Sequence, residues 1–154
     1  MISVKNISKS YGTRVLLNGV SFSVNPGERI GLVGRNGHGK TTLFRIITGE
    51  ESADSGIVEV AKGYRIGYLK QENAFFAPTI LAEGVSALSI HEQDEEWIVK
   101  KVLTGLGFTE SDFARSPHEL SGGFQMRLTL AKVLLSDPHA LLLDEPTNYL
   151  DIVT

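Results

Sequence analysis

The sequence predicts an α/β fold, and three observations predict it. A short apolar run, Glu28 to Val33, enters a glycine-rich stretch and reads as a buried strand. A helical pattern over Lys40 to Thr48 follows that stretch directly. Near the far end a helical pattern from Ser121 to Ser136 leads into the fully apolar Ala140-Leu141-Leu142-Leu143, which runs into acidic residues. Strand, loop and helix, then a helical insert, then helix and strand describe an α/β core with its loop at a strand's carboxyl end.

The other elements fill in around this frame. Arg14 to Val24 is rich in Val, Leu and Phe, and Asn25-Pro26-Gly27 closes it with a turn. Gly49 is placed to stop the helix of residues 40–48. The turn Ala53-Asp54-Ser55-Gly56 precedes two strand candidates, Gly56 to Val60 and Tyr64 to Leu69. From Pro78 to Leu106 the pattern becomes helical. Leu81, Val85 and Leu88 share one face, and Val99, Val102, Leu103 and Leu106 fit the spacing of an amphipathic helix. This second helix begins with Glu92, Asp94, Glu95 and Glu96 and later reaches Lys100 and Lys101, so its charges complement the helix dipole. Glu96 and Lys100 form an i, i+4 pair. Lys100 and Lys101 read as a solvated face rather than an RNA or partner contact, and Trp97 as a core or interface residue rather than a base-stacking one. In the helix of residues 121–136, Phe124, Leu128, Ala131 and Leu135 line one face, and Asp137-Pro138 ends it.

Bulk properties narrow the function. The 154 residues suit one domain with a real core. A net charge of -3 announces no nucleic-acid surface, although a local basic patch stays compatible with it. With no cysteine, disulfide frameworks and thiolate zinc sites are excluded. The start, Met1-Ile2-Ser3-Val4-Lys5, has no apolar signal-peptide core, and no apolar run approaches the roughly 18 residues that span a bilayer. A cytoplasmic location without membrane insertion is expected, and the sequon Asn6-Ile7-Ser8 is discounted accordingly.

Two motifs carry chemistry. Gly34-Arg35-Asn36-Gly37-His38-Gly39-Lys40-Thr41, followed by Thr42, fits G-x-x-x-x-G-K-[ST]. Its glycines let backbone N–H groups turn towards phosphate oxygens, and the helix starting near Lys40 adds its positive end. Lys40 supplies a mobile cation for the β- and γ-phosphates of ATP, and the Thr41 hydroxyl is placed for Mg²⁺. His38 reads as an exposed spacer rather than a metal ligand. Leu141-Leu142-Leu143-Asp144-Glu145-Pro146 is an apolar strand ending in two carboxylates. One can hold Mg²⁺ through water, and the next can orient or activate the attacking water. Either motif alone also reads as a glycine-rich or an acidic turn; together they point to nucleotide hydrolysis.

Leu120-Ser121-Gly122-Gly123-Phe124-Gln125 resembles the signature segment of ABC ATPases, which sits just before the Walker B strand as it does here. Its Ser-Gly-Gly helix start is an anion site in its own right, with exposed N–H groups and a hydroxyl. The resemblance implies that Ser121, Gly122, Gly123 and Gln125 act in trans, on the γ-phosphate of ATP held by a second ATPase domain, on the same polypeptide or in a homodimer. It further implies that Gln71 is the Q-loop glutamine, approaching the metal and the water beside Lys40 and Glu145, and that Tyr11 stacks on adenine. The expected fold is a P-loop NTPase core with an antiparallel β-subdomain and a helical insert. Its regions are 1–72 (β-subdomain and P-loop core), 73–119 (helical insert) and 120–154 (signature helix and Walker B strand). Asp144-Glu145-Pro146-Thr147-Asn148-Tyr149-Leu150-Asp151, with Phe124-Gln125-Met126-Arg127, is similar to the ABC-F family in particular. That family comprises soluble proteins with two ATPase domains on one chain, acting on or near the ribosome.

Two departures qualify the resemblance. The family's switch histidine follows the Asp151 region, whereas the histidines here are His38, His91, His118 and His139. The chain thus resembles a C-terminally incomplete first ATPase domain, and poor turnover is expected of it. The interval between Gln71 and Ser121 is also too short for the long helical arm that many ABC-F proteins insert there. The alternatives are the ATPase subunit of a membrane transporter and a non-catalytic nucleotide-binding fragment.

Overall fold

The computed structural model describes residues 1–70, 74–88 and 96–144. The chain divides into two units, Met1–Ile66 and Gly67–Thr154.

In the first unit, strands β1 (Ile2–Tyr11), β2 (Arg14–Val24) and β3 (Ser55–Val60) form an antiparallel sheet in the order β2-β1-β3. β1 is central and was not among the elements read from the sequence. Its apolar spacing explains why: Ile2 and Val4 alternate correctly, but the next buried residue is Ile7. The register breaks between Val4 and Ile7 on the β2 side, and Asn6 there takes a left-handed φ of 51°. An irregularity of this kind shifts the inward face by one residue, and Asn tolerates that conformation better than most. Helix α1 (Lys40–Ile47) buries Leu43, Ile46 and Ile47. Gly49, at φ 76°, donates its N–H to the Ile46 carbonyl and ends the helix as expected.

The expected strand Glu28–Val33 is not formed. Residues 28–33 carry no strand assignment and are exposed throughout, Val33 to 95%. Among the described residues no strand pairs with this segment, and an apolar run without a hydrogen-bonded neighbour on either side has no ladder to make it a strand. Apolar content is therefore no guarantee of burial here.

In the second unit, β4 (Ile66–Leu69) pairs with β5 (Ala140–Leu143). Helices α2 (Ile80–Val85), α3 (Glu96–Gly105) and α4 (Gly122–Leu135) pack on one another. The Thr79 hydroxyl caps α2 by accepting from the Ala82 N–H at 3.2 Å. The helical stretch expected from Pro78 is thus shorter at its start, because Thr79 is extended and serves as the cap. The acidic start read at Glu92, Asp94 and Glu95 lies outside the described residues. The core collects Ile80, Val99, Leu103, Phe108, Leu128, Ala131 and Leu135, with Phe124 packed against it. The face read on α4 is thus the inward one. Glu96 and Lys100 form the expected pair at 3.2 Å, Lys100 and Lys101 are exposed, and Trp97, read as core or interface, is 62% exposed.

Candidate functional site

Residues 34–39 form a loop ending on the N-terminus of α1. Gly37 and Gly39 hold φ of 76° and 87°, a region that L side chains rarely occupy. Gly39 also packs closely on β2, where a Cβ would lie 3.4 Å from Leu16 Cβ and Leu17 Cδ2. Gly39 caps α1 without any side-chain bond, and the first turn holds no acidic residue. The positive end of the helix favours an anion there. The Lys40 ammonium folds over the loop, donating to the carbonyls of Gly34 at 2.9 Å and Arg35 at 3.2 Å and to Asn36 Oδ1 at 3.5 Å. His38 is exposed, with ring Nδ1 3.2 Å from the Arg35 carbonyl, consistent with a spacer. Thr41 and Thr42 follow, half-buried, in the first turn of α1. The donor set suits a phosphate chain.

Tyr11, the end of β1, lies half-exposed in the same unit. Its hydroxyl donates to Glu51, and the Lys9 ammonium sits 5.3 Å over its ring. Hydrogen bonding to Glu51 raises the Tyr11 pKa and lowers that of Glu51.

In the second unit, Asp144 closes β5, only 4% exposed, and accepts from the Tyr68 hydroxyl at 3.3 Å. Ser121 caps α4, its hydroxyl accepting from the Phe124 N–H at 3.5 Å, so Gly122 and Gly123 occupy the first positions of the helix. Gln125 donates its N–H to the Ser121 carbonyl at 2.8 Å, and its carbonyl accepts from the Thr129 hydroxyl at 3.0 Å. Gln71 and Glu145 lie outside the described residues, as does the segment 146–151.

Thr41 and Asp144 are hard oxygen donors of the kind Mg²⁺ takes. Among the described residues no cluster of three or more His, Cys, Asp or Glu could hold a metal unaided.

Sequence reasoning missed three partners. Arg14 donates to the Gly37 carbonyl at 2.8 Å, and no local signal marks it. Glu51 was not seen as the partner of Tyr11, because the two are 40 residues apart. Glu83 is the third. It lies three residues after Ile80 and so on that helix's buried face, which was a readable signal.

Several known proteins match this chain in sequence. YheS of Escherichia coli (strain K12), a probable ATP-binding protein, is 35% identical over 152 residues, covering 99% of this chain and 24% of YheS. EttA of the same strain, an energy-dependent translational throttle protein, is 38% identical over 157 residues, covering 100% of this chain and 28% of EttA. Both are ABC-F proteins, as is the matching F family member 5 of Arabidopsis thaliana, in agreement with the resemblance read from residues 144–151. The chain spans about a quarter of the length of YheS and EttA. Among solved structures, the dimeric ATP-binding cassette MJ0796 in a post-hydrolysis state with ADP and Pi superposes with a TM-score of 0.83 at 25% identity, covering 99% of this chain and 77% of that one. The family model described as ABC transporter matches residues 17–148, from β2 through the signature helix to beyond Asp144. That stretch contains every candidate site residue except Tyr11, and on it the chain belongs to the ABC transporter family.

Proposed function

We propose that this chain is an ATP-binding and ATP-hydrolysing domain of an ABC-F-type protein. The observation that carries the proposal is the loop of residues 34–41, whose left-handed glycines lead into a helix N-terminus with no acidic residue in its first turn, within a chain of the ABC family. The backbone N–H groups of that loop, with Arg35, Asn36 and His38 as its side-chain members, bind the phosphates. Lys40 exchanges its loop carbonyls for phosphate oxygens. Thr41 and Asp144, with Gln71, hold Mg²⁺, which when bound neutralises phosphate charge. Thr42 follows Thr41 in the first turn of α1 as a further nucleotide contact, and Tyr11 supplies an aromatic face for the base. Glu145 orients the attacking water. Ser121, Gly122, Gly123 and Gln125 complete the site of a second ATPase domain; the dimeric cassette MJ0796 supports such pairing. A role at the ribosome is supported by the name of EttA as a translational throttle protein. Among the described residues no helix is long and apolar enough to cross a membrane.

The test is phosphate release by the full-length protein. Glu145→Gln is expected to abolish turnover while ATP binding persists. Wild-type turnover in Glu145→Gln would remove Glu145 from this role. A second reading, the ATPase subunit of a membrane transporter, is favoured by neighbours such as the ATP-binding cassette described as a bacterial ABC transporter's. A second ATPase domain on the same polypeptide favours the first reading; an adjacent gene for a membrane protein favours the second.

A further inference from the structure

Glu83 is a buried charge that the nucleotide site does not use. Its side chain is 1% exposed, on α2, in the second unit. One carboxylate oxygen accepts from two successive backbone amides, Phe76 at 2.9 Å and Ala77 at 2.7 Å. The other accepts from the Lys132 ammonium, and Lys132 also donates to the Ala74 carbonyl at 3.3 Å. The same ammonium lies 5.7 Å over the Phe75 ring, and Phe75 is buried in the core. Four consecutive residues, 74–77, are therefore gripped by one ion pair from two helices. An unpartnered carboxylate would be very costly at this depth, and the amides and the cation offset that cost only in this one geometry.

The positions of the gripped parts give the pair a purpose. Residues 74–77 follow Gln71 by a few residues in sequence. Lys132 lies in the last turn of α4, the helix whose first residues are Gly122 and Gly123. A helix of this length moves as a rod. We propose that Glu83 and Lys132 form a latch tying the stretch after Gln71 to the signature helix, which makes Glu83 a positioning residue for Ser121, Gly122 and Gly123. This rests on the reading that Gln71 and the signature act on nucleotide. The latch makes the two places where nucleotide is sensed shift together, because any displacement of residues 74–77 pulls on α4 through a pair that cannot stretch without stranding a buried charge.

The test uses the full-length protein with Glu83→Gln, Lys132→Met and Lys132→Arg, reading ATPase kcat, ATP affinity, thermal stability and hydrogen exchange at the Phe76 and Ala77 amides. Glu83→Gln is expected to lower kcat about 10- to 100-fold, as misplacement of positioning groups does. ATP affinity should hold within about twofold, since the phosphate loop is untouched. Exchange at Phe76 and Ala77 should quicken, and Lys132→Arg should restore most of what Lys132→Met loses. Folded Glu83→Gln and Lys132→Met proteins with wild-type kcat overturn the proposal. So does a parallel fall of kcat and affinity that tracks lost stability. Should Glu83→Gln not fold, the Lys132 pair decides: equal kcat in Lys132→Met and Lys132→Arg overturns the latch. A wild-type protein that binds no ATP defeats the functional reading instead, and the latch is then decided by amide exchange in Lys132→Met, where unchanged protection at both amides overturns it.

Discussion

Burial alone would raise the Glu83 pKa, but the Lys132 ammonium and the amides of Ala77 and Phe76 outweigh it, so the carboxyl titrates below its usual value of 4.5. Among the described residues the cation paired with it is Lys132, and His118 meets the Phe75 ring edge-on at 6.2 Å. A carboxyl with a lowered folded pKa contributes stability that is fully present above its unfolded value and is lost as pH falls through the folded one. The wild-type chain is therefore expected to weaken as pH drops below about 4.5, and Glu83→Gln should lack that component of the acid loss. Urea unfolding across the carboxylate range checks this; identical pH profiles would contradict it. Removing the cation instead, by Lys132→Met, leaves the acid buried and unpaired and should cost about 3–5 kcal/mol at neutral pH. The phosphate-loop residues were legible one by one, since their types and spacing are dictated by backbone geometry. Glu83, Arg14 and Glu51 were harder, because their partners are supplied by other elements and only the fold brings them together.

Helices were more readable than strands. The faces of α3 and α4 repeat at the helical period, and the residues on them, Val99 and Leu103, Leu128 and Ala131, are fully buried. Central strand β1 was hidden by its irregularity at Asn6, which breaks the period of two. The run Glu28–Val33 misled in the opposite direction, because strand formation needs a neighbour that sequence pattern does not reveal. Gly84 on α2 shows a requirement that no local pattern encodes: a Cβ there would collide with Val99 Cγ1 of α3 and meet Leu135 Cδ1 of α4 at 3.6 Å. Gly84→Ala is expected to destabilise the helical unit by about 1–3 kcal/mol through overpacking. Adding Val99→Ala should recover part of that loss, because it removes the colliding methyl. Chemical denaturation of the single and double variants measures the coupling, and strictly additive losses would show that the helices separate freely.

For the whole molecule, the proposed head-to-tail arrangement needs a phosphate loop and a signature helix, which the sequence places at residues 34–41 and 121–125. Mixing separately produced, completed ATPase domains, one carrying Lys40→Ala and the other Ser121→Arg, should restore one composite site of two. No rescue from two folded, associating proteins would contradict the arrangement. The central claim, that residues 34–41 bind the phosphates of ATP, has a more direct test. Calorimetric titration of wild-type and Lys40→Ala proteins with ATP and Mg²⁺ should show a clear loss of affinity in the variant, on the order of tenfold or more for a desolvated charge-assisted contact, with the fold unchanged by circular dichroism. Equal ATP affinity in the two folded proteins would contradict the assignment.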